Sequence, residues 1–186
     1  GIAGNGFVDF QGGTSTSVAN IIIGWLGTAT TNRTNISGTA VVTAANVLVG
    51  DATAGTLNLN GGTLRVNTIA DAAGGGLPQV NFNGTSVVAL SNQAEFLPGL
   101  DTAETDVQAG GILIDTNTFS IGIGAGLDGV GGLTKTGTGT LTLSGANTYA
   151  GLTTISSGTL AVIGSVSGNI NIANGATLAG NGTVGS

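Results

Sequence analysis

The sequence contains no cysteine, no methionine and no histidine. Those absences remove disulfides, thiolate chemistry, haem ligation and imidazole metal sites together, so any fold must be held by its hydrogen-bond ladder and its core alone. Charge is nearly as scarce, at 6% of the chain, against roughly a quarter in ordinary soluble domains. Arg33, Arg65 and Lys135 face nine acids, giving a formal charge of −6. That is the wrong sign, and too few cations, for a phosphate-binding surface, which excludes nucleic acid as an expected partner. No apolar run approaches the roughly 18 residues a membrane-spanning helix needs; the longest, Ile21, Ile22 and Ile23 with Trp25 and Leu26, is far shorter. No membrane insertion by this segment is expected. No secretory signal is legible and the first residue is Gly1 rather than Met, so the chain reads as a processed or excerpted segment.

Glycine supplies 36 of the 186 residues, yet 40% of the chain is hydrophobic, which is too apolar for a disordered glycine-rich tract. The chain repeats itself. Residues 132–143 (GLTKTGTGTLTL) return nineteen positions later as residues 151–162 (GLTTISSGTLAV), with six of twelve positions identical. These are Gly132, Leu133, Thr134, Gly139, Thr140 and Leu141, matched by Gly151, Leu152, Thr153, Gly158, Thr159 and Leu160. Within each unit the apolar residues fall two apart, as in Leu141 and Leu143 or Leu160 and Val162, the period of a half-buried strand. Gly137, Gly139, Gly145 and Gly158 lie between strands, where the chain must turn. Three short strands and three turns need roughly 18 to 25 residues, so a period near 19 makes one coil. Stacked coils bring like residues together about 4.8 Å apart. The expectation is an all-β chain folded as a parallel β-helix, a β-solenoid with coils of about 19 residues.

Taken in order, residues 1–35 form irregular N-terminal coils or a cap, with Trp25 either plugging the core or stacking on a ligand. Regular strands follow from 36 to 67. Residues 68–106 interrupt the repeat as a loop excursion, with a helical turn expected between Asn92 and Leu97 ahead of Pro98. Residues 107–186 are the regular repeat region, still running when the chain ends, and the whole is one solenoid domain.

Residues 131–160, GGLTKTGTGTLTLSGANTYAGLTTISSGTL, closely resemble the autotransporter-associated β-strand repeat, also called the passenger-associated transport repeat. The likeness extends over roughly residues 40–186. It implies a right-handed, single-stranded β-helix exported to the bacterial surface, serving display or adhesion, with no catalytic motif to carry over. The membrane β-barrel in which autotransporters end has no counterpart here.

Candidate chemistry is thin. Asp101, Glu104 and Asp106 form the one acidic cluster and are candidate Ca²⁺ ligands; the competing reading is solvated loop carboxylates. No other cofactor is expected. Lys135, the single lysine, is read as a solubility or inter-coil pairing residue in preference to a catalytic base. Tyr149 could stack on a sugar but is first a coil residue. Residues 122–126 (GIGAG) imitate a nucleotide fingerprint without the βαβ unit it requires. Asn5, Asn60, Asn83, Asn174 and Asn181 each precede glycine, serving turn geometry or an asparagine ladder between coils. The functional expectation is a non-enzymatic extracellular stalk, adhesin or fibre subunit that associates end to end, with surface glycans or a neighbouring cell surface as partners. The alternative is a carbohydrate-binding or carbohydrate-cleaving module using the 68–106 excursion.

Overall fold

The computed structural model describes residues 7–24 and 32–185, the side chains of 15–18 excepted; Asn5 and Trp25 lie outside this range. Every strand pairing is parallel, and each joins one coil to the next. The chain is a β-solenoid of about 8 turns. Strands such as Asn32–Val49, Gly55–Val66, Ile112–Asp115 and Leu133–Thr136 make a 12-stranded sheet. The strands Ser120–Ile123, Thr140–Leu143, Thr159–Val162 and Thr177–Ala179 make a second sheet, and Ala146–Asn147, Ser165–Val166 and Thr183–Val184 a third. No helix among the described residues is long and apolar enough to cross a membrane.

The coil length is not constant. Phe7 lies beside Arg33, a step of 26 residues; Arg33 lies beside Thr56, a step of 23; Ile112 beside Leu133 is 21, and Thr153 beside Ile170 is 17. The period of 19 read from the sequence belongs to Thr140 beside Thr159. Coil length follows the corner loops between the strands: Thr85 lies beside Ile112, a step of 27, and only from there to the C-terminal coils do the steps shorten.

Period-2 alternation puts one face inward, and the inward residues stack as apolar columns. Ile36, Leu59, Phe82 and Val107 follow one another in register and are fully buried, as are Ile121, Leu141 and Leu160. At about 25 cal/mol per Å², each such side chain contributes roughly 1.5–3 kcal/mol.

Residues 68–106, expected as an excursion, carry the strands Thr68–Asp71, Pro78–Phe82, Thr85–Ala89 and Thr105–Val107. Even the strandless part keeps its rung. Ile69 N donates to Phe96 O at 3.1 Å, and Phe96 N donates to Gly122 O at 2.7 Å. Phe96, Leu97 and Leu100 are buried in the core. The helical turn falls at Thr102–Glu104, not at 92–97, because Asp101 accepts from Ala103 N and Glu104 from Asp101 N in a reciprocal cap.

Candidate functional site

Lys135 belongs to an inward column. It lies in register between Ile114 and Ile155, below Leu64 and Val87, and its side chain is fully buried. Its Nζ donates to Thr136 O at 2.7 Å, Gly137 O at 2.9 Å, Thr116 Oγ1 at 3.0 Å and Ser157 O at 3.1 Å. An ammonium has three hydrogens, so every one finds an acceptor. The acceptors come from three successive coils, which makes the lysine a staple across a corner. Of the two readings offered for Lys135, the geometry is that of inter-coil pairing; a solubility role requires an exposed side chain.

A second polar corner follows. Buried Asn147 donates from Nδ2 to Ser165 O at 2.9 Å and Gly145 O at 3.1 Å, while its Oδ1 accepts from Leu127 N at 3.1 Å. Tyr149 is fully buried, with its hydroxyl 2.6 Å from Thr153 Oγ1, and so is unavailable for stacking on an external sugar. That contact accompanies a one-residue slip. The sequence repeat matches Leu133 to Leu152, but the structure places Leu133 beside Thr153, twenty residues on. A slip of one exchanges the two faces of a strand: Thr153 goes inward to Tyr149, and Leu152 is left 51% exposed. By Thr140 and Thr159 the register has returned to nineteen, and the two Leu partners Leu141 and Leu160 are both buried.

Among the acids, Asp101 and Glu104 are brought together, but their carboxylates are turned onto backbone N–H groups of the short helical turn. Asp106 Oδ2 instead accepts from Gln108 Nε2 at 3.2 Å. Among the described residues no group of three or more His, Cys, Asp and Glu side chains is placed to hold a metal ion. Burial pushes the Glu104 carboxyl above its ordinary range, the Asp101 N–H pulls it back, and the carboxylates of Asp101 and Asp71 add to the rise. Beside this turn lies a cleft of about 330 Å³ lined by Glu95, Leu97, Asp101 and Gly126 among others. Both oxygens of Glu95 accept from Gly124 N, at 3.0 and 2.9 Å.

Amide ladders run along the outer face. Asn58 Nδ2 donates to Asn35 Oδ1 and Asn81 Nδ2 to Asn58 Oδ1, each at 2.8 Å. Asn83 Nδ2 donates to Asn60 Oδ1 at 3.2 Å, so those two asparagines join a ladder as well as preceding turn glycines. The Asn35, Asn58 and Asn81 column escaped the sequence reading. Its signal is an asparagine flanked by apolar or threonine neighbours at steps of 23, as in Leu57, Asn58, Leu59 and Val80, Asn81, Phe82.

A family profile, the passenger-associated-transport-repeat, matches residues 133–162, the segment that contains Lys135, Asn147, Tyr149 and Thr153. The chain carries a passenger-associated-transport-repeat. It is similar to an extracellular serine protease of Serratia marcescens, with 58% identity over 59 residues, 32% of this chain and 6% of that protein. A second Serratia marcescens extracellular serine protease is 56% identical over 57 residues, 31% of this chain and 6% of the relative. The adhesin BmaC autotransporter of Brucella suis biovar 1 (strain 1330) is 35% identical over 136 residues, 73% of this chain but 4% of the adhesin. The chain thus spans only a small part of these relatives' length. No solved structure matches it.

The passenger repeat gives a pH signature. Burial lowers the Lys135 amine from its ordinary 10.5 to about 8, with the Asp115 carboxylate partly offsetting the shift. Between those values the unfolded chain binds the proton and the folded chain does not, so stability rises with pH across that interval. Burial raises the Tyr149 hydroxyl above its ordinary 10.0, with the bond to Thr153 opposing; this titration lowers stability as pH climbs further. Denaturant midpoints should therefore climb from about pH 8 to pH 10 by the equivalent of about 1–3 kcal/mol. In Lys135→Met that climb should vanish.

Proposed function

We propose that the chain is a non-enzymatic segment of an exported β-helical passenger, working at the bacterial surface as a stalk, adhesin or fibre subunit. The observation that carries this reading is where the polar chemistry is directed. Lys135, Asn147 and the amide ladders all bond from one coil to the next along the solenoid axis, the direction in which a stalk transmits load. No buried side-chain nitrogen or oxygen among the described residues is left without a partner. The likeness to an adhesin over most of the chain supports the same reading.

Assembly end to end is part of the proposal: parallel coils stack like on like, and a head-to-tail contact that does not close makes a filament. A formal charge of −6 over 186 residues offers little repulsion. The carbohydrate-binding or carbohydrate-cleaving alternative has less support, since Glu95 and Asp101, which line the cleft, and Glu104 on the adjoining turn are engaged with backbone N–H groups. Negative-stain electron microscopy over a concentration series, with and without Ca²⁺, tests assembly. Fibres of uniform width that lengthen with concentration are expected in both conditions; dispersed short rods throughout would overturn self-association.

A further inference from the structure

We propose that Asn174 is a site of spontaneous deamidation in the folded chain, and that inter-coil bonding protects the other asparagine-glycine pairs Asn60, Asn83 and Asn181. The reaction has two geometric requirements. The backbone nitrogen after asparagine must be free to attack the side-chain carboxamide carbon, and the carboxamide itself must be free to turn toward it. Glycine in the following position removes the Cβ that would obstruct this approach.

The four described pairs differ in these respects. At Asn60 the Gly61 N–H is committed to Thr85 Oγ1 at 3.0 Å and Oδ1 accepts from Asn83. At Asn83 the Gly84 N–H donates to Gly111 O at 2.7 Å, and the side chain is held at both ends, by Asn60 Oδ1 and by Gly110 N. At Asn181 the Gly182 N–H donates to Val162 O at 2.9 Å. Asn174 alone has neither restraint. It is exposed, at the second position of a turn closed by Ala176 N donating to Ala173 O at 3.0 Å; its side chain and the Gly175 N–H make no hydrogen bond with the described residues. Gly175 has φ +83 with nothing within 4 Å of a Cβ position, so the turn has room to move.

The chemistry needs only water. Gly175 N bonds to the Asn174 side-chain carbon, the bond to the amide nitrogen breaks, and ammonia leaves with the proton from Gly175. Water then opens the resulting five-membered imide at one carbonyl to give aspartate, or at the other to give an isoaspartyl linkage. Either product adds a carboxylate to a chain that is already acidic. The second also lengthens the backbone by one carbon at the corner before the strand Thr177–Ala179, whose register with Thr159–Val162 it would disturb. The same turn therefore sets a chemical lifetime for its coil.

The test is peptide mapping by mass spectrometry, with aspartate and isoaspartate resolved, on the folded chain held warm at mildly alkaline pH beside a urea-unfolded sample. In the folded chain Asn174 should convert at close to its unfolded rate, while Asn60 and Asn83 should convert roughly tenfold or more slowly than theirs, as ladder protection implies. Asn174 protected to the same degree as Asn60, or Asn60 and Asn83 converting as fast as Asn174, would overturn the proposal. Thr85→Val, with folding checked by circular dichroism, releases the Gly61 N–H and should speed Asn60 without altering Asn174. An unchanged Asn60 in the folded variant would contradict the role given to that bond, and the wild-type comparison decides the matter if the variant does not fold.

Discussion

Lys135→Met lowers the stability of the chain by about 2–4 kcal/mol, read as a fall in denaturant midpoint by circular dichroism. Methionine fills the stem's volume but offers no donor. Thr136 O, Gly137 O and Ser157 O, on adjoining coils, then lose a charge-assisted bond inside the corner. Thr136 O keeps its bonds from Thr116 N and Oγ1, Gly137 O keeps Ser157 Oγ, and the ammonium is no longer desolvated, which is why the figure is below the sum of three lost charge-assisted bonds. Lys135→Arg should not rescue it, since a planar guanidinium is too broad for a site shaped around a point-like ammonium. A midpoint within error of wild type for Lys135→Met would show that Lys135 does not staple the coils.

Gly139→Ala should cost more, about 3–5 kcal/mol, or prevent folding. A Cβ there would sit 1.9 Å from Phe119 O, a backbone atom with no side-chain freedom to retreat. The neighbouring bonds cannot absorb the shift. Gly139 N donates to Asn117 O and Gly139 O accepts from Thr159 N, so moving Gly139 breaks rungs on both sides. Gly12→Ala is the matched control: the nearest atom to its Cβ position is Thr39 Oγ1 at 3.6 Å, an ordinary contact, and its effect should stay within about 0.5 kcal/mol.

Alternation at Leu141, Leu143, Leu160 and Val162 was enough to read parallel coils from the sequence, because a solenoid writes its core as local period-2 pattern and its corners as glycine. The same alternation, continued from Leu133, puts Lys135 inward. The preference of lysine for water argued the other way, and it failed here because the ammonium is satisfied by carbonyls of its own corner, Thr136 O and Gly137 O, together with Thr116 Oγ1 and Ser157 O about twenty residues away in sequence. Local pattern does not display such partners. The slip at Leu152 was hidden for a related reason: identity of Gly, Leu and Thr aligned the two units at nineteen, whereas the buried bond between Tyr149 and Thr153 accompanies pairing at twenty. The segment 68–106 looked irregular since its rungs near Phe96 are carried by loop backbone with no alternating strand. Its acids looked like a cluster because sequence proximity does not show that Asp101 and Glu104 are turned onto their own helical turn.

Coil-to-coil bonding along the axis is what suits the proposed stalk to bearing load. Single-molecule extension between the two termini tests it most directly. Resolvable steps of about 70 Å are expected, the extended length of a coil of about 20 residues, with the highest force at the coils joined by Lys135 and a lower force there in Lys135→Met. A single extension at low force without coil-sized steps, or a force profile that Lys135→Met leaves unchanged, would contradict it.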